Sequence, residues 1–95
     1  MKFKEGKLDW NLVDYSILEY LVKVLQFGLQ KGYSKESWKN TVPKDYYAAS
    51  QRHLAELMKG NMRDKESGLP HAAHLMANAY FLTFFEDRRR YTDGY

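Results

Sequence analysis

The feature that most constrains the fold is a segment that follows Pro70 and reaches about Arg89, apolar around most of a helical circumference. One polar stripe interrupts it, because His71, His74 and Asn78 stand at positions i, i+3 and i+7. A helix that is apolar on most sides has to be covered on several sides. The segment therefore predicts a central helix whose first turns carry polar groups on one face.

Two more helices are indicated upstream of this segment. Apolar residues recur at helical spacing over residues 13–31 and again over residues 44–59. Gly32 and Gly60 follow these stretches, and glycine is a typical residue just beyond the end of a helix. No segment alternates like a strand. We therefore predict an all-α fold, a small bundle of three main helices.

The length of the chain limits how much core it can form. Ninety-five residues form one domain, residues 1–95, and a chain of this size buries only about 60–65% of its unfolded surface. We expect a homo-oligomer to complete the bundle. The absence of cysteine excludes disulfides and thiolate metal sites, and no apolar run approaches the roughly 20 residues that span a bilayer. These features predict a cytoplasmic protein.

The charge of the chain argues against two classes of partner. The formal net charge is +3, and the most concentrated basic run, Arg88 to Arg90, lies beside Glu86 and Asp87. Such a run is typical of a solvated helix end. Neither nucleic acid nor a membrane is therefore favoured as a partner.

Two carboxylates precede the polar stripe. Asp64 and Glu66 lie just before the predicted third helix, whose first turns carry His71 and His74. Histidines and carboxylates together can bind a divalent cation, and the beginning of a helix can bind a phosphate. The alternative is that the histidines pack or form hydrogen bonds within the fold, and that the acids are solvated loop charges.

A second group of candidates comes from the second helix and the loop before it. Arg52 could bind phosphate, and His53 could approach the same pocket if the second and third helices are antiparallel. The alternative is a surface ion pair of Arg52 with Glu56, four residues on. Tyr33 and Trp38 could stack on a base, although aromatic residues in a small protein usually close the core.

Four stretches, at residues 5–12, 24–38, 46–61 and 64–82, resemble the dATP/dGTP diphosphohydrolase N-terminal domain of tailed phages, a MazG-like nucleotide pyrophosphohydrolase family. The resemblance covers most of the chain. Its most specific parts are Gly6-Lys7 with Trp10, Phe27-Gly28 with Lys31 and Trp38, Arg52-His53-Leu54, and the set Asp64, Glu66-Ser67-Gly68, His71, His74 and Asn78.

The resemblance implies a purine nucleotide-binding domain that hydrolyses dATP or dGTP to the monophosphate and pyrophosphate. In that case Mg²⁺ or Mn²⁺ would be bound by Asp64, Glu66, His71 and His74, with Glu66 and His71 as the catalytic candidates. The remaining candidates for contacts with the nucleotide are Lys31, Tyr33, Trp38, Arg52, His53, His74 and Asn78.

A different class of function stays open at this point. A non-catalytic phage protein could sequester a host nucleotide immune signal, of the cyclic or ADP-ribose type, and act in anti-defence without a metal. Asn61 at a position where the family has a carboxylate, and the absence of carboxylate pairs one helical turn apart, favour that alternative. A helical protein with no ligand is the third possibility.

Overall fold

Three helices make up most of the chain. The structure is a computed structural model and describes the backbone of residues 6–92 and the side chains of residues 6–88. The helices are α1 (Tyr15–Gln30), α2 (Pro43–Met58) and α3 (His71–Thr92), and short 3-10 turns lie at Trp10–Leu12 and Ser37–Asn40. The described residues contain one isolated β-bridge and no strand, so the predicted all-α class is confirmed. The side chains of Arg89 and Arg90 lie outside the described residues.

The ends of α1 and α2 follow from local chemistry. Asp14 caps α1, because its carboxylate accepts hydrogen bonds from the Ser16 N–H at 2.9 Å and the Ser16 hydroxyl at 2.6 Å. Gly32 and Gly60 follow the two helices with φ of +97° and +91°. This left-handed conformation strains residues that have a Cβ, so glycine ends each helix at low cost.

The loop between α2 and α3 folds back on itself. The His71 N–H donates to the Met62 carbonyl at 2.8 Å, and Arg63 and Pro70 form the isolated bridge. Pro70 directly precedes α3, and its carbonyl accepts from the N–H groups of Ala73 and His74. The closed loop therefore fixes its own side chains against the first turn of α3.

Helix α3 occupies the centre of the bundle, as its sequence predicts. It packs against both α1 and α2, whereas α1 and α2 do not approach each other closely. Ala73 and Ala77 are the only fully buried hydrophobic residues among the described part of the chain. Small side chains on α3 thus lie beneath an open space that α1 and α2 flank.

An aromatic cluster closes one part of the bundle. The Trp38 ring lies 4.9 Å from the rings of both Phe81 and Phe84 on α3, measured between centroids. The Tyr46 hydroxyl of α2 donates to the Trp38 carbonyl at 3.1 Å. The second 3-10 turn is therefore attached to both α2 and α3.

Much apolar surface remains exposed in the single chain. On α3, the apolar residues that we expected to need a partner chain are mostly half-buried already, for example Leu75, Met76 and Phe85. Large exposed apolar side chains lie instead on the first 3-10 turn and on the outer faces of α1 and α2. None of the helices, within the residues described, is long and apolar enough to cross a membrane.

Candidate functional site

A cleft of about 960 Å³ lies over α3, between the second half of α1 and the facing side of α2. The loop that contains the second 3-10 turn and the loop before α3 complete its walls. Small-molecule sites in proteins commonly have volumes of about 300–1,000 Å³, so this cleft can accommodate a nucleotide.

Three histidine rings meet beside the cleft. His53 of α2 and His71 of α3 bring their Nδ1 atoms to 2.8 Å, and the rings of His53 and His74 stack at 4.5 Å with an interplanar angle of 5°. A hydrogen bond between two imidazole nitrogens requires a proton on one of them and a lone pair on the other. His53 therefore connects α2 to α3 through both histidines of the polar stripe.

The loop before α3 supplies a carboxylate and a hydroxyl. Asp64 Oδ2 accepts from the backbone N–H groups of Ser67 at 2.8 Å and Glu66 at 3.1 Å. Ser67 Oγ lies 2.7 Å from His74 Nε2 and accepts from the Leu69 N–H at 3.1 Å. The sequence suggested Ser67, with Pro70, only as a marker of the beginning of the third helix and not as a site residue, although its position between Asp64 and His74 was a signal for the site.

Ser67, His74 and Asp64 do not form a nucleophilic triad. In such a triad the carboxylate binds the ring nitrogen opposite the one that faces the hydroxyl. Here Asp64 Oδ2 lies 4.0 Å from His74 Nε2, the same nitrogen that contacts Ser67 Oγ. The arrangement suits the orientation of an imidazole and offers no activation of the serine.

Burial sets the charge states of this cluster. Burial lowers the pKa of His74, against the opposing effect of the Asp64 carboxylate. Burial also lowers the pKa of His53, and the neighbouring histidines lower it further. For Asp64, burial acts to raise the pKa, but the hydrogen bonds from Ser67 outweigh it and the net shift is downward. At neutral pH His53 and His74 are therefore neutral imidazoles beside the ionised carboxylate of Asp64.

Neutral imidazoles and a carboxylate are metal ligands. Among the described residues, one group has the spacing for an ion: one ligand atom each from His53, Asp64 and His71, all within 4.8 Å of one another. The sequence-derived ligand set was Asp64, Glu66, His71 and His74. His53, which we had assigned to the nucleotide, replaces Glu66 and His74 in this geometric group.

Glu66 points to a different partner. Its carboxylate forms an ion pair with Lys31 at the end of α1, with 2.6 Å between Nζ and Oε1, and its side chain is 61% exposed. The hydrogen bond with Glu66 raises the pKa of Lys31. The pair lies at the edge of the cleft, where Lys31 and Arg52 supply positive charge.

Asn78 is the unusual polar residue of the cleft. Only 7% of it is exposed, yet its amide forms no hydrogen bond with any residue that the structure describes. No described side-chain nitrogen or oxygen is both fully enclosed and without a partner. Because Asn78 lines the cleft, its amide is open on that side and can bond to whatever the cleft contains.

The structure places nearly all of the sequence-predicted site residues around one space. Its walls include two groups of candidates: the nucleotide candidates Lys31, Tyr33, Trp38, Arg52, His53, His74 and Asn78, and the acidic candidates Asp64 and Glu66. His71 is 5% exposed and lies outside the lining, where it contacts His53. Asn61 is also outside the lining, where its amide bonds to Glu56, so a carboxylate at this position would not enter the cleft.

The two aromatic candidates differ in their surroundings. Trp38 lines the cleft but packs its ring against α3, whereas Tyr33 is 60% exposed at the cleft wall. Tyr33 thus has the freer face for a base, and Trp38 closes the core as well as the cleft.

Fold and site together define a small all-α protein with a nucleotide-sized cleft, basic groups along its wall and a histidine–aspartate cluster beside it. The chain belongs to the family described as dATP/dGTP diphosphohydrolase, N-terminal, whose model matches residues 1–94. It is 34% identical over 93 residues to a protein of Salmonella phage PMBT28 named dATP/dGTP diphosphohydrolase, a match that covers 98% of this chain. The chain spans about a third of that relative's length, 32%. No solved structure matches the chain.

Proposed function

We propose that this chain binds a purine deoxynucleoside triphosphate in the cleft and takes part in its hydrolysis to the monophosphate and pyrophosphate. The observation that carries the proposal is Asn78, a buried amide without a protein partner, in a nucleotide-sized cleft of a chain that belongs to a dATP/dGTP diphosphohydrolase family. Because the amide stays accessible only from the cleft, a molecule bound there can form the hydrogen bonds that the protein does not supply.

The chemistry of the cleft suits a purine base. A side-chain amide offers one acceptor and one donor pair, and it can bond at the same time to N6 and N7 of an adenine. Tyr33 supplies an exposed aromatic face on the cleft wall for stacking. Asn78 would then recognise an edge of the base while Tyr33 contacts its face.

The basic groups of the cleft suit a triphosphate. Lys31 and Arg52 both line it, and the arginine fork can bond two phosphate oxygens at once. Lys31 is held by Glu66, so a phosphate would have to share the lysine with this exposed carboxylate or displace it. Exposed ion pairs contribute little stability, about 0–1 kcal/mol, which makes that exchange feasible.

Hydrolysis adds one water to the α-phosphorus and breaks its bond to the oxygen that bridges to the β-phosphorus. The products are a nucleoside monophosphate and pyrophosphate, and the water proton has to be accepted nearby. His74 is neutral, half-buried and fixed by Ser67, so it can accept a proton or orient the water. A bound divalent cation would neutralise the phosphate charge that develops during the reaction.

The comparisons favour hydrolysis over sequestration. Both the family and the phage relative carry the name of a diphosphohydrolase, and neither supports a protein that only stores an immune signal. The match lies on about a third of that relative, so the isolated chain has to be tested for binding and for turnover separately.

The test uses the purified chain with dATP, dGTP and dCTP, with Mg²⁺, Mn²⁺ or chelator. Binding is measured by titration calorimetry, and the nucleotides are then separated by anion-exchange chromatography. We expect purine nucleotides to bind and to be converted to monophosphate and pyrophosphate in the presence of a metal. Intact nucleotide released after denaturation would restrict the chain to binding, and no binding would refute the proposal.

A matched pair of lysine variants controls for general charge effects. Lys31→Ala removes a cation that lines the cleft, whereas Lys23→Ala removes one from the same region of the chain, outside the lining. We expect the first to weaken nucleotide binding by about tenfold, equivalent to about 1.4 kcal/mol, and the second to leave it unchanged. Equal losses in both variants would indicate a non-specific charge effect.

A further inference from the structure

We propose that His53, His71 and Asp64 form a binding site for a divalent first-row transition-metal ion at the wall of the cleft. This inference stands on the geometry of three side chains, and it holds whether or not the chain hydrolyses a nucleotide. It assigns His53 as a ligand and removes Glu66 and His74 from the set that the sequence predicts.

The two imidazole nitrogens already have nearly the spacing of neighbouring ligands. With metal–nitrogen bonds of about 2.1 Å, adjacent ligand nitrogens lie about 3.0 Å apart around an octahedral ion and about 3.4 Å apart around a tetrahedral one. The Nδ1 atoms of His53 and His71 are separated by 2.8 Å. Binding would therefore move them apart by only a few tenths of an ångström.

The third ligand comes from a separate segment of the chain. A carboxylate oxygen of Asp64 lies within 4.8 Å of one ring nitrogen of each histidine, and Asp64 lines the cleft, as His53 does. Two backbone N–H groups, from Glu66 and Ser67, fix the Asp64 carboxylate, and hydrogen bonds of this kind are typical of the groups that orient metal ligands. Rotation of the Asp64 carboxylate would bring all three groups to one ion.

The ligand types favour a transition metal over magnesium. Mg²⁺ prefers an octahedron of oxygen ligands, whereas imidazole nitrogen suits Fe²⁺, Ni²⁺, Cu²⁺ and Zn²⁺. Two imidazoles and one carboxylate leave coordination positions for water or a phosphate oxygen. Since His71 is buried and the other two residues line the cleft, those positions would face the cleft.

The competing explanation is a hydrogen bond between the two histidines that only joins α2 to α3. In that case a single proton lies between the Nδ1 atoms, and an ion would find no site. The two explanations predict different effects of Zn²⁺. In a metal site Zn²⁺ replaces the shared proton and binds both Nδ1 atoms, whereas in the hydrogen-bonded pair Zn²⁺ leaves both nitrogens unchanged.

The first experiment uses the wild-type chain freed of metal by a chelator and contains no nucleotide. Titration calorimetry with Zn²⁺, Mn²⁺ and Mg²⁺ should show one Zn²⁺ or Mn²⁺ per chain, with Mg²⁺ binding at least about a hundredfold more weakly. Nitrogen-15 NMR of the imidazole rings should show Zn²⁺-dependent shifts at Nδ1 of His53 and His71, with no metal-bound nitrogen on His74. Absence of Zn²⁺ and Mn²⁺ binding, or coordination through His74, would overturn the proposal.

The second experiment compares ligand variants with a matched acidic control. His53→Gln and Asp64→Asn should each weaken Zn²⁺ binding by at least about a hundredfold, because even the loss of an outer hydrogen-bond partner costs about ten- to hundredfold. Glu66→Gln should leave the affinity unchanged. The reverse result, with loss only in Glu66→Gln, would restore the sequence-derived ligand set and refute this one.

Circular dichroism of each variant shows whether it is folded, and the NMR result on the wild-type chain does not depend on any variant.

The outcome of the metal-binding experiments is separate from that of the nucleotide tests. A chain that binds no metal but hydrolyses dATP in chelator would end this inference alone, and a chain that binds Zn²⁺ but no nucleotide would end only the proposed function.

Discussion

Replacement of Asn78 by leucine should raise the stability of the chain while it weakens nucleotide binding. Leucine has the same heavy-atom branching as asparagine, so it can occupy the same place on α3 without the amide. Asn78 is 7% exposed and forms no hydrogen bond to the described residues, so the substitution breaks no protein contact of that kind. If Asn78 stabilised the fold by packing or hydrogen bonding, the substitution would instead lower the stability of the chain.

The magnitude follows from two contributions. Leucine is favoured over asparagine within a helix by about 0.4 kcal/mol. Removal of a mostly buried polar group without a protein partner contributes up to about 1 kcal/mol, reduced here because the amide retains access to the cleft. We therefore expect the free energy of unfolding to rise by about 1 kcal/mol, which raises the melting temperature by about 4–8 °C in a domain of this size.

The assay is a thermal melt by circular dichroism together with titration of the nucleotide by calorimetry. Loss of the amide should weaken dATP binding by about tenfold or more, since each lost hydrogen bond contributes about 0.5–1.5 kcal/mol. Asn61→Ala is the control, because that amide is exposed and outside the cleft lining. A lower melting temperature for Asn78→Leu, or unchanged dATP affinity, would refute the reasoning.

Three other predictions concern the fold and its assembly. Trp38→Ala should destabilise the chain by about 3 kcal/mol, because the Trp38 ring packs on α3. Trp10 is exposed, so Trp10→Ala should have little effect on stability. Chemical denaturation measures the free energy of unfolding of both variants. The hydrogen bonds from Ser16 lower the pKa of Asp14 in the folded chain. The ionised cap therefore contributes fully to the free energy of unfolding above the ordinary aspartate pKa of about 3.9. That contribution is lost as the pH falls through the lowered pKa. Melts of Asp14→Ala should therefore fall below wild type at pH 7, and the two should converge in strong acid. Finally, a homo-oligomer that covers the exposed face of α1 should be split by Ile17→Glu in light scattering, and a monomeric wild type would contradict it.

The helices were predictable because their signals are local. The capping carboxylate of Asp14 and the glycines at positions 32 and 60 act within a few residues of the ends that they define. The spacing of apolar residues indicated the central place of α3 for the same reason. The beginning of α3 at His71 depends in addition on the closed loop before it. The His71 N–H bonds to the Met62 carbonyl, and the spacing of apolar residues does not predict this contact.

The sequence indicated most of the candidate residues that line the cleft, but not the contacts between them. The i, i+3 spacing correctly places His71 and His74 on neighbouring positions of α3, yet their contacts differ. His71 bonds to His53 of α2 through Nδ1, while His74 stacks on the His53 ring and contacts Ser67 of the loop. These partners depend on how α2 packs on α3 and how the loop closes, which are long-range properties. The ion pair of Glu66 with Lys31 is another long-range contact that the sequence does not reveal.

The burial of polar groups in so small a core is itself an argument for a ligand. Ala73 and Ala77 are the only fully buried hydrophobic residues that the structure describes, and on the same helix His71 and Asn78 are equally withdrawn from water. A polar group sealed from water costs about 1–3 kcal/mol when it has no partner, a large share of the 5–15 kcal/mol that stabilises a domain, and the Asn78 amide escapes the full cost because it stays accessible from the cleft. His53 compensates His71, but no described residue compensates Asn78. Local departures of this kind in a marginal fold are typical of functional positions, and Asn78 marks the side of α3 where a bound molecule would complete the hydrogen bonding.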